Sequence, residues 1–244
     1  MLTPVDHLLA LTLSILFPLR ARSVMHGKLA RASEAELPAV RLAAYRNAML
    51  IQWGLTAVAA ALWIFFRRPW HSLGVIPVWT AGLIGVLAGL ALVVIVVWRQ
   101  SSGEGPDERT AAALRKRTEK LERMLPRSRR ELNAFYGLSI TAGICEEVLY
   151  RGFMIWYLQR LGLALLPAAA VSSLIFGVGH LYQGLRGMIL TAIVGAFLSG
   201  VYLLSGSLVA SILIHALMDM HSGRLLFAAY SRPPAPEPLA EVAS

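Results

Sequence analysis

Two stretches of this chain carry no charge over the thickness of a membrane: residues 48–66, 19 residues long, and residues 77–98, 22 residues long. A bilayer core takes about 20 apolar residues to cross as a helix. In lipid every backbone N–H and C=O must be satisfied within the fold, and a helix does this inside one segment. Weaker apolar runs at residues 5–19, 132–158, 161–179, 187–205 and 207–220 read as five further spans. The sequence thus predicts an all-α polytopic membrane protein with about seven transmembrane helices. Its composition agrees: 57% of the 244 residues are hydrophobic and 15% charged, too apolar for an ordinary soluble domain of this length. The first run is not read as a signal peptide, because Asp6 and His7 stand where a basic leader would begin and no small-residue cleavage site follows.

The formal net charge of +9 could point to nucleic acid, but its distribution points to lipid. Six Lys/Arg fall in residues 20–46 and ten in residues 99–131. With seven spans, nineteen basic residues lie on one side and three on the other, which by the positive-inside rule makes the large basic loops and the C-terminus cytoplasmic. The reading is therefore a bilayer partner and no nucleic acid. The segment 107–131 carries Leu114, Leu121 and Leu125 at helical spacing, as in a surface-lying helix or a solvated loop helix. Gly85 and Gly89 form a G-x-x-x-G that would let a neighbouring helix approach. Cys145 is the sole cysteine, which rules out an internal disulfide and reads as a small buried hydrophobe. Three regions follow: 1–131 with three spans and basic loops, 132–220 with four helices, and a tail 221–244, proline-rich from Ser231 and expected to be disordered.

Charge is costly at membrane depth, roughly 2.5–3.5 kcal/mol per group, and calls for a partner or a task. Glu146-Glu147-Val-Leu-Tyr-Arg151 sits inside the fourth expected span. Positions i and i+4 share a helix face, so Glu147 can pair with Arg151. Neighbours point about 100° apart, which turns Glu146 away from that pair and towards a cavity, where it can act as a general base. A buried ion pair that only fixes helix packing would account for Arg151 with one acid, but not for the second. His180 ends Phe176-Gly-Val-Gly-His180, and His215 precedes Asp219 by four residues, so this carboxylate can orient the imidazole.

These three motifs, E-E-x-x-x-R, F-x-x-x-H and H-x-x-x-[N/D], in that order and in successive helices, resemble those of the CAAX protease and bacteriocin-processing (CPBP) family of intramembrane proteases. The resemblance covers about residues 132–220 and implies an endopeptidase that cleaves membrane-associated peptides or proteins in a bacterial inner membrane. It implies catalytic roles for Glu146, Glu147, His180, His215 and Asp219, and positioning roles for Arg151 and Phe176. Prenyl-protein proteases often hold Asn where this chain has Asp219. An ionised Asp cannot donate to an oxyanion, so orienting His215 is the role expected of it. Two mechanisms stay open: a metal-free glutamate protease, and a zinc enzyme with Glu146, His180 and His215 as ligands. Two other readings stand beside proteolysis: a catalytically idle CPBP-fold scaffold or bacteriocin-immunity factor, and a proton-coupled transporter.

Overall fold

Helix boundaries in the computed structural model, which describes residues 2–75, 79–101 and 105–231, follow from local capping chemistry. Thr3 opens α1 (Pro4–Leu11): its hydroxyl accepts from the Asp6 N–H, Asp6 accepts from the Thr3 N–H, and Pro4 fills the first turn, where a missing N–H costs nothing. Ser128 and Glu131 repeat this reciprocal box at the start of α6 (Arg129–Glu146). Helix α1 runs on through a π-helical stretch, α2 (Phe17–Val24) and a second π stretch ending at Leu29. Then come α3 (Leu37–Phe65), α4 (Ala81–Ser101) and the short α5 (Glu108–Thr118). After α6 a π-helical stretch, Glu147–Met154, leads into α7 (Ile155–Arg160), followed by α8 (Leu165–Gly179), α9 (Leu185–Ser205) and α10 (Leu208–Ser231). The described residues contain no strand.

Three helical segments are apolar and long enough to cross a bilayer: Pro4–Leu29, Leu37–Phe65 and Leu185–Ser205. Ala81–Ile95 and Leu165–Gly179 are shorter apolar helices. The two remaining segments that the sequence assigns to spans are α6 with its continuation and α10, which are the ones bearing the charged motif residues. Exposed Leu8, Leu92, Leu166, Ile193 and Leu204 give the bundle an apolar exterior suited to acyl chains.

Helix α6 packs between α3 and α10, and α8 packs along α9. Leu13, Trp63, Leu73, Leu149, Phe153 and Phe176 are buried in the main apolar cluster. Gly143 permits the α6–α10 contact: a Cβ there would lie 2.9 Å from Ala216 Cβ and 3.0 Å from Ile212 O. The G-x-x-x-G expectation fails by contrast, since Cβ atoms on Gly85 or Gly89 would meet nothing within 4 Å among the described residues. Close approach is not confined to the polar helices: a Cβ on Gly177 would lie 2.7 Å from Ala192 Cβ between α8 and α9.

The segment 107–131 does not lie free on a surface. Arg115 donates to the Ala229 carbonyl at 2.7 Å, the Thr118 and Tyr230 hydroxyls lie 3.0 Å apart, and Leu125 is buried. This segment also meets residues 20–46: Arg123 donates to the Leu29 carbonyl at 2.8 Å, Arg41 donates to the Arg123 carbonyl at 3.0 Å, and Tyr45 donates to the Met124 carbonyl. The two basic segments thus share one end of the bundle. The proline-rich tail after Ser231 and the break at residues 102–104 lie outside the described residues.

Two arginines counted from sequence only as topological charges are buried partners. Arg68 makes a two-pronged bond to Asp6, 2.7 Å at each oxygen, with its guanidinium against the Trp63, Phe66 and Trp156 rings. Arg41 donates to Glu131 Oε1 at 2.6 Å, while Glu131 Oε2 accepts from the Arg127 and Ser128 backbone at 2.7 and 2.9 Å. Burial pushes the Glu131 carboxyl up, but the Arg127 N–H and the Arg41 guanidinium hold it below the ordinary Glu value. Its stabilising contribution is therefore complete above the unfolded carboxylate range and lost as pH falls through the lower folded value. In detergent, the wild-type melting temperature should fall on acidification below that range, and Glu131→Gln should be less stable at neutral pH and less sensitive to acid. Parallel pH profiles for the two proteins would refute this.

Candidate active site

Glu146 is the last α-helical residue of α6, and Glu147 opens the π-helical stretch, where bonds run i→i+5. All residues from Cys145 to Trp156 are buried, so the acids cannot turn to water outside the bundle. The sequence-predicted pair is formed: Arg151 Nη1 donates to Glu147 Oε1 at 2.8 Å, with side-chain exposures of 1% and 0%. Arg151 Nη2 donates to the Gly195 carbonyl at 3.0 Å, and the guanidinium lies 4.5 Å from the Phe176 ring centroid. One arginine therefore ties the π stretch to α8 and α9. Gly195 leaves it room, because a Cβ there would sit 3.0 Å from Phe176 Cδ1 and 3.4 Å from Arg151 Nη2.

Glu147 Oε1 also lies 2.8 Å from His215 Nδ1 on α10. A carboxylate ionised by its arginine can only accept, which puts the hydrogen on Nδ1 and turns Nε2 into the site. This revises the expectation for Asp219. Its Oδ2 comes only to 3.8 Å of His215 Nε2, beyond hydrogen-bond reach. The close contact of α6 and α10 beside Gly143 lets Glu147 take the imidazole first, so Glu147 orients His215 and Asp219 faces its other nitrogen.

Glu146 is turned from the pair as the helical spacing predicts. Its Oε2 lies 3.9 Å from His215 Nε2, and its residue exposure is 6%. That gap is too long for a direct bond and short enough for one bridging water. His180 closes α8 with Nδ1 3.0 Å from the Phe176 carbonyl. A carbonyl only accepts, so Nδ1 carries hydrogen and Nε2 is an acceptor. Phe176 stands edge-on to both imidazoles, with ring centroids 4.9 Å from His180 and 5.9 Å from His215. The F-x-x-x-H motif thus supplies a wedge that holds Arg151 and both histidines. Cys145 is buried as a small hydrophobe.

A catalytic zinc takes three protein ligands and one open position. Among the described residues no three His, Cys, Asp or Glu side chains are grouped to hold one ion. Glu146, His180 and His215 as arranged do not fit such a site. Sequence reasoning missed the Glu147–His215 bond, since no local spacing signals a contact between residues 68 apart.

Residues 129–221 match the family model described as Rce1-like, type II CAAX prenyl endopeptidase Rce1-like. No curated protein and no solved structure matches the chain.

Removing one partner of a buried ion pair costs about 3–5 kcal/mol. Arg151→Met should destabilise by that order in SDS-unfolding of the micelle-embedded protein, and Glu147→Gln in the same chain should recover part of the loss. No recovery would contradict the pairing. Gly143→Ala should cost about 1–3 kcal/mol by forcing α6 from α10; an unchanged unfolding midpoint would contradict the close approach.

Proposed function

We propose that this chain, whose motif-bearing segment belongs to the CAAX-protease (CPBP) family, hydrolyses peptide bonds of membrane-associated peptides or proteins within the bilayer. The observation that carries the reading is the position of His215: one nitrogen held by the Glu147–Arg151 pair, the other 3.9 Å from a second, buried acid, Glu146. A structural ion pair has no use for that second acid, and a hydrolase does.

In this reading a water sits between Glu146 and His215 Nε2. Glu146 removes its proton as the oxygen attacks the substrate carbonyl, which is general-base catalysis. His215, protonated with Glu147 compensating its charge, donates from Nε2 to the oxyanion. Glu146 then returns the proton to the departing amine as the C–N bond breaks, so protons balance and the carboxylate is regenerated. His180 Nε2 accepts a hydrogen bond from the water or the substrate N–H. Asp219, beside His215 Nε2, favours the imidazolium. The seven-span bundle would enclose these groups in a polar cavity, in a bacterial inner membrane with the basic segments and C-terminus cytoplasmic. The joining of residues 20–46 and 107–131 at one end supports that sidedness.

Purified protein should cleave a quenched-fluorescent peptide library in detergent. Glu146→Gln should lower turnover by about 10²–10⁴-fold with its melting temperature kept within a few degrees of wild type, and a zinc chelator should leave turnover unchanged. Equal turnover by wild type and Glu146→Gln would sink the assignment. A C-terminal fusion should be active with a cytoplasmic reporter and silent with one that needs export; the reverse would invert the topology.

A further inference from the structure

Between the start of α3 and the start of α6 lies a groove of about 630 Å³, within the roughly 300–1,000 Å³ typical of small-molecule sites. Pro38, Leu42 and Ala134 contribute to an apolar floor, and Arg46 and Arg130 stand on its walls. Both arginines are exposed, and neither forms an ion pair or hydrogen bond with any described residue. Their neighbours differ: Arg41 is spent on Glu131, Arg127 on Glu122, and Arg129 stacks on Phe227. Glu131 also lines the groove, but its oxygens are taken by Arg41 and two backbone N–H groups, so it leaves the local balance positive. The groove opens at the end of the bundle where the two basic segments meet. Ala134, its lining residue nearest the acids on α6, precedes Glu146 by twelve residues, roughly 18 Å of helix rise, so the groove is no part of the proposed active site.

We propose that this groove binds the headgroup and upper acyl chains of an anionic phospholipid from the surrounding leaflet. Two cations with no partner among the described residues, beside an apolar trough at one end of the bundle, match a phosphodiester carried on hydrocarbon. A zwitterionic headgroup would bring a choline cation against Arg46 and Arg130, and a soluble phosphate would leave the apolar floor unused. A lipid held here bridges α3 and α6, the two helices joined by Arg41 and Glu131, and so braces the helix that presents Glu146. This inference is independent of the protease reading.

The full chain, purified in neutral detergent, would be equilibrated with phosphatidylglycerol, phosphatidylcholine or glycerol phosphate and read by native mass spectrometry and melting temperature. Wild type should retain phosphatidylglycerol selectively and melt higher with it. Binding should weaken about fivefold for each arginine replaced in Arg46→Gln and Arg130→Gln. The charge-matched control Lys116→Gln with Arg117→Gln should bind as wild type. Ala39→Glu, which sets a carboxylate in the groove, should also displace the lipid without removing a cation. Equal retention of phosphatidylcholine, an equal melting shift with glycerol phosphate, or an equal loss in the control would each overturn the proposal.

Discussion

An arginine inside a membrane bundle must satisfy its charge within reach of its own side chain, and Arg151 does so through Glu147, the Gly195 carbonyl and the Phe176 face. The cost of desolvating either charge alone is larger than any single packing contact could offset. The helices that supply those contacts are therefore fixed relative to one another by electrostatics as well as by side-chain packing. Everything else in the site depends on that fixation. Glu147, held as a carboxylate, fixes His215, and Phe176, pressed by the guanidinium, fixes both imidazoles. Glu146 is the member of the group left with no strong bond among the described residues, which is why the proposed chemistry is assigned to it.

The pairing of one of the two adjacent acids with Arg151 is legible in the sequence because it is local. Glu147 and Arg151 share a face at i, i+4, and the π-helical stretch does not part them. The resemblance carried by E-E-x-x-x-R, F-x-x-x-H and H-x-x-x-D over residues 132–220 agrees closely with the family match at 129–221. Asp219 shows where local reasoning stops. It has the right spacing to orient His215, yet a carboxylate on another helix arrives closer, and nothing in a four-residue window reveals that competition. The same holds for Asp6 with Arg68, 62 residues apart, and Arg41 with Glu131, 90 apart. Charge counting treated these arginines as loop residues, because a tally of signs is blind to pairing across the fold.

Glycine was the other place where pattern and packing diverged. A G-x-x-x-G announces a possible contact, but contact depends on what the facing helix presents. In this fold, Gly143 meets Ala216, and Gly85 and Gly89 meet no described residue. Gly177 likewise lets α8 and α9 pack closely against Ala192, so small residues serve apolar and polar contacts alike.

The clasp between Asp6 and Arg68 bears on how the chain enters the membrane. Asp6 belongs to the first hydrophobic segment, and its cation emerges only after α3 has been synthesised. Until then the acid lacks the arginine that neutralises it in the fold, and crossing alone would strand it. The first helix and α3 would therefore enter as a hairpin, with the Trp63 and Trp156 rings closing over the joined charges once α7 arrives. Insertion of the first helix and α3 would then be timed by a residue that follows them both.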